Sequence, residues 1–127
     1  MKASELRLNN YVLEDGDVVL LATNYDLFKC LVNVDRGIGF EPIPLTEEWL
    51  LKFGFTHQYK TIKGHDFFEY PIDSKFKLYV NLNKMELIIN KNLFGCILTK
   101  KIQYVHALQN FYFELTEEEL LIKNEKK

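Results

Sequence analysis

The sequence predicts an α+β fold: an amino-terminal antiparallel sheet, small and barrel-like or strongly twisted, then a short helix, a second antiparallel meander, and a carboxy-terminal apolar helix with a short capped helix after it. Three observations predict it. Turn-punctuated β-favouring runs fill residues 1–45, a threonine–glutamate helix start follows two prolines at residues 42 and 44, and apolar residues recur at helical spacing near the end. The chain reads as one domain over 1–127, divided into a β-rich stretch (1–45), a short helix (46–55), antiparallel strands (56–98), terminal helices (99–122) and a frayed tail (123–127).

In the first stretch, Tyr11 to Leu13 and Val18 to Leu21 are separated by Glu14-Asp15-Gly16-Asp17, a set suited to a hairpin because Asp and Gly tolerate positive φ. Phe28 to Val34 reads as a third strand, with Phe28, Cys30, Val32 and Val34 alternating onto one face, and Phe40 to Ile43 supplies a fourth. Pro42 and Pro44 turn the chain. Thr46 is then an N-cap, Glu47 and Glu48 complement the positive helix end, and Gly54 closes the helix with Phe55 folding back onto its last turn. Phe67 to Tyr70 and Phe76 to Leu82 are expected to pair, followed by Glu86 to Asn90 and a short strand near Phe94 to Leu98. From Lys101 to Leu115 an apolar arc covers more than half of a helix, and Thr116-Glu117-Glu118-Glu119 matches a capping box that starts another.

Composition narrows the function classes. Sixteen basic residues against eighteen acidic give a formal charge of -2, so no field of the whole molecule draws it to nucleic acid or an anionic membrane. Cys30 and Cys96 are far apart without metal or redox spacing, which predicts free thiols in a cytoplasmic protein. The longest apolar run, Val18 to Ala22, is too short to span a membrane, and Met1 to Glu5 opens no secretory signal.

The inventory of reactive groups is thin. Ser4 and Ser74 stand in no nucleophile elbow, Gly37-Ile38-Gly39 lacks the third glycine of a dinucleotide loop, and His57, His65 and His106 lack the spacing that gathers metal ligands. The expectation is no catalytic residue, no metal and no cofactor. Two surfaces are candidates for binding. His106, Gln109 and Asn110 neighbour one another at i, i+3 and i+4 on an otherwise apolar helix, with Phe113 beyond them. An amide placed there needs partners, so the group is either a recognition patch for a peptide or base, or a link to a loop backbone, the reading favoured by the general satisfaction of buried polar groups. The second surface is a lysine-rich sheet face carrying Lys75, Lys77, Tyr79, Lys84 and Lys91, where cations would neutralise phosphates and a ring would stack on a base; lysines on wet strands also guard sheet edges, which is the plainer reading.

Three stretches carry a resemblance: Glu5-Leu6-Arg7-Leu8-Asn9-Asn10-Tyr11-Val12, then Pro42 to Phe55, then Tyr104 to Phe113 with Leu115-Thr116. Together they resemble a family of small uncharacterised proteins found in Bacteroidetes genomes and their phages or mobile elements. This chain departs from it at Asn9 and Glu117, where glycine is expected, and at Ala107, where glutamine is. The resemblance implies a prophage or mobile-element accessory protein and brings no reaction or ligand with it. Residues and resemblance together predict a non-enzymatic interaction module that binds an unknown protein partner or a second copy of itself through the sheet face or the over-apolar terminal helix. Nucleic-acid binding is the alternative.

Overall fold

The structure, a computed structural model, describes residues 3–35, 39–58, 67–72, 76–91 and 96–123. After a 3-10 turn (Ala3–Glu5) the elements run β1 (Tyr11–Glu14), β2 (Asp17–Leu20), α1 (Asn24–Asp35), β3 (Phe40–Glu41), α2 (Glu47–Phe53), β4 (Thr56–Gln58), β5 (Phe67–Pro71), β6 (Phe76–Asn81), β7 (Glu86–Lys91), β8 (Cys96–Lys101) and α3 (Val105–Thr116). Helices and antiparallel sheets are mixed, as an α+β fold requires, and no closed barrel forms among the described residues. The chain divides into two compact units, one of Met1–Pro44 with Tyr104–Leu121 and one of Leu45–Gln103 with Ile122–Lys127.

In the first unit, Asp15 (φ 52) and Gly16 (φ 90) take the two central positions of the β1–β2 hairpin, with Glu14 opposite Asp17. Two successive positive φ values match the right-handed twist of the strands, and these two residue types accept them most easily. The sheet has the order β2-β1-β3. The segment predicted as a third strand, Phe28 to Val34, is instead the body of α1. At a hundred degrees per residue its alternating residues separate: Cys30 and Val34 join Val12 and Leu21 in a buried cluster, while Phe28 and Val32 point away from it. Thr23 caps this helix through its hydroxyl, which accepts from the Asp26 amide at 3.0 Å.

Helix α3 starts at Val105 rather than at Lys101, because Lys101 still pairs with Glu86 in the sheet of the second unit. It buries Val105, Leu108 and Tyr112 together with His106 and Gln109. The predicted second helix after it does not form. Glu117 adopts φ 62 and stops α3, while the Thr116 hydroxyl donates back to the Tyr112 carbonyl and accepts from the Glu118 amide, so Thr116 ends a helix instead of beginning one. Glu119, expected to reach back toward that cap, is held by Arg7. Asn9 (φ 70) is left-handed, as Glu117 is.

In the second unit, α2 is bounded as its sequence predicts. The Thr46 side chain accepts from the Trp49 amide, and Gly54 (φ 102) and Phe55 return their amides to Leu51 and Leu50 in a Schellman ending. Gly54 is held to glycine by φ, and a Cβ there would also approach the Lys123 side chain at 3.1 Å. The five-stranded sheet runs β4-β5-β6-β7-β8, antiparallel throughout. Leu78 and Val80 on β6 face Ile89 and Leu87 on β7 and are buried with them, whereas Lys77 is exposed, so one face is apolar and the other wet. Phe53 and Phe68 are fully buried; each such side chain contributes about 1.5–3 kcal/mol.

Candidate functional site

Position 109 faces inward on α3, and what surrounds it explains why an amide stands there. Gln109 Oε1 accepts from the Tyr11 amide at 2.8 Å, and Nε2 donates to the carbonyls of Asn9 at 2.7 Å and Leu120 at 3.0 Å. The side chain is fully buried, and it holds together the loop before β1, the start of β1 and the segment after α3. Both of its amide protons are engaged, so no donor remains to recognise a ligand. At the next residue, Asn110 Nδ2 donates to the Glu5 carbonyl, and Oδ1 accepts from Arg7 Nε and Asn10 Nδ2 at 3.2 and 2.8 Å. The chemistry of this group is structural cross-linking.

Arg7 is the hub of the same cluster. Its Nη1 donates to both oxygens of Glu119, at 3.1 and 2.9 Å, and to the Leu8 carbonyl, while its guanidinium lies 4.2 Å from the Phe113 ring centroid. The charge is therefore matched, and the planar face is covered by an aromatic ring. Of the residues singled out from sequence, His106, Gln109, Asn110 and Phe113 do converge, but around Arg7, Asn10, Glu5 and Glu119, which the helical spacing did not reveal. Arg7, Asn10 and Glu5 lie about a hundred residues away along the chain, and only folding brings them near.

His106, at the start of α3, is buried against the stacked ring of Tyr104, with Nε2 3.3 Å from Glu5 Oε1. That contact places the proton on Nε2 and leaves Nδ1 as a buried acceptor without a hydrogen-bond partner among the described residues. Burial pushes the imidazole below its ordinary value, opposed by the neighbouring Glu5 carboxylate. His57 is stacked on Phe68 at 4.5 Å, and no group of three or more metal-ligating side chains occurs among the described residues. The Cys30 thiol is buried in the first unit's core, and its pKa is pushed up to about 11, chiefly by desolvation. A thiol held neutral in this way is a poor nucleophile.

On the sheet face of the second unit, Lys77 Nζ is paired with Glu69 at 2.8 Å, and the Tyr79 ring stands edge-on to Phe67 at 6.4 Å. Lys101 bridges Glu86 and the Lys84 carbonyl, leaving the Lys84 side chain exposed. Lys75 and the side chain of Lys91 lie outside the described residues.

The surface that sequence reasoning missed belongs to α1. Tyr25, Phe28 and Val32 occur at i, i+3 and i+7 on its outer side and are 72%, 66% and 39% exposed, with Val18 of β2 50% exposed. The opposite side of the same helix carries Cys30 and Val34 into the core, so α1 is apolar on both faces and covered on one. Beside this stripe Glu14, Asp26 and Lys29 rim a hollow of about 260 Å³ floored by Leu20, Leu21 and Phe40, and Lys29 Nζ is 3.2 Å from Glu14. The Thr23-Asn24-Tyr25-Asp26 start was the available signal for a helix, and hence for this second face. No helix among the described residues is long and apolar enough to cross a membrane. Comparison of the chain with family models, curated proteins and solved structures found no match.

Proposed function

We propose that this chain is a non-catalytic protein-interaction module of prophage or mobile-element origin, and that it docks through the outer face of α1. One observation carries the reading: two aromatic rings and a valine line one side of a helix, mostly exposed, while its other side is committed to the core. Contiguous apolar surface of this kind is costly to present to water and marks interaction sites in folded proteins. The terminal helix, one of the two docking elements expected from sequence, is a weaker candidate because Val105, Leu108 and Tyr112 on its apolar side are buried. The Gln109 and Asn110 amides are engaged in cross-links, and the Cys30 thiol is held neutral.

The test is a photo-reactive residue placed at position 28, compared in the native host with one at exposed Lys84. A discrete protein adduct at 28 and none at 84 supports the reading; adducts only at 84 would move the interface to the sheet. A second reading, nucleic-acid binding, has one observation in its favour: the second unit carries twelve basic residues against seven acidic, a formal charge of +5. The pairing of Lys77 with Glu69 weakens it. It predicts a salt-sensitive shift of single-stranded DNA that Lys84→Glu reduces.

A further inference from the structure

We infer that the partner of α1 is a segment of another protein that presents apolar side chains flanked by lysine or arginine; this rests on the interaction reading above and adds the chemistry of the partner to it. The first unit carries four basic residues against eleven acidic, a formal charge of -7, the reverse of the second unit's +5. The docking stripe therefore lies on the acidic unit. Close to it the sign is the same: exposed Asp17 adjoins Val18 in β2, Asp26 follows Tyr25 in α1, and the one lysine within the stripe, Lys29, is neutralised by Glu14. The hollow is lined by Leu20, Leu21 and Phe40 with Glu14, Asp26 and Lys29, and the Lys29 cation is paired with Glu14. A lysine or arginine fits that combination, its methylene stem on the floor and its charge against Asp26.

Charge and area together disfavour a second copy as the occupant. A symmetric pair through α1 would bring two -7 units face to face, with Asp17 and Asp26 of each copy near the contact. At roughly 150–250 Å² for a whole aromatic side chain, the exposed parts of Tyr25, Phe28, Val32 and Val18 come to about 400 Å². A stable interface needs about 800 Å² on each side. The stripe is sized for a few anchoring side chains, and opposite charge around them supplies on-rate and selectivity.

The experiment titrates the whole chain with two fluorescent peptides of about 18 residues, long enough to hold a helix, that share leucine anchors at i, i+4 and i+7. One is flanked by lysine and the other by glutamate. The expected result is at least tenfold tighter binding of the lysine peptide at about 0.05 M salt, a gap that narrows at about 0.5 M, and loss of that binding in Phe28→Ser. A matched urea midpoint for Phe28→Ser keeps the loss attributable to the face, and Val32→Ser serves if that variant fails to fold. Equal binding of both peptides overturns the charge inference while leaving the interaction reading intact. Binding of neither overturns the inference too, and light scattering then separates a second copy as occupant, seen as a dimer lost in Phe28→Ser, from a monomer with no occupant of this kind.

Discussion

Replacing Gln109 with leucine keeps a side chain of similar reach on α3 but withdraws the amide from three backbone groups. The Tyr11 amide and the Leu120 carbonyl lie in buried residues, and each costs about 1–3 kcal/mol when left without a partner. The Asn9 carbonyl belongs to a half-buried residue and can recover a water, so it adds little. Allowing about 1 kcal/mol in return for the better burial of leucine, the expected loss is about 3 kcal/mol. With a urea slope of about 1.5 kcal/mol per molar, that lowers the midpoint by about 2 M. Far-UV circular dichroism is the readout, because Trp49 belongs to the other unit and its fluorescence reports there first. Hydrogen exchange at the Tyr11 amide should accelerate in parallel. A midpoint within about 0.3 M of the parent, with Tyr11 still protected, would refute the claim that this amide ties the unit together.

Glu117 ends α3 with φ 62, where a residue bearing a Cβ is strained, so Glu117→Gly should stabilise the first unit by about 0.5–1 kcal/mol; a loss in thermal unfolding would contradict this. The folded-state pKa of His106 lies below its unfolded value of 6.5, so the unfolded chain takes up the proton first. The contribution of His106 to stability is then complete above about pH 6.5 and is lost as the pH falls through the depressed folded value, by at most about 1.4 kcal/mol per unit. An NMR titration that finds His106 protonating at or above its ordinary value would reverse that sign.

How far the fold was legible depends on whether local chemistry decided the matter. Around α2 every signal agrees: Thr46 caps, Glu47 and Glu48 favour the helix start, and Gly54 can adopt the left-handed exit. Its limits were readable for that reason. The β1–β2 hairpin was equally clear, because Asp15-Gly16 suits two positive φ values. The failure at α1 is instructive: Phe28, Cys30, Val32 and Val34 fit an alternating strand and a two-faced helix equally well, and β-branched and aromatic residues tip composition toward the strand. What decided it was the Thr23 cap together with the cluster of Val12 and Leu21 that receives Cys30 and Val34, a long-range contact. At Thr116 a correct local pattern was overruled. Arg7, more than a hundred residues away, claims Glu119, and Glu117 takes the left-handed exit. The candidate site divides along the same line. Helical spacing showed that His106, Gln109 and Asn110 are neighbours, but their engagement with Arg7, Asn10 and Glu5 is a property of the folded chain.

The central claim is that the outer face of α1 is apolar for the sake of binding and not of folding, and two phenylalanines in helices test it. Phe28 is 66% exposed on α1 and Phe53 is fully buried on α2. The measurement is the change in unfolding free energy for Phe28→Ala set beside that for Phe53→Ala. About a third of the Phe28 ring area is lost to water, and alanine regains about 0.5 kcal/mol of helix propensity, so the account predicts a cost near 1 kcal/mol against 3–5 kcal/mol for Phe53. A cost for Phe28→Ala as large as that for Phe53→Ala would mean that the ring belongs to the core, and the docking face would not exist.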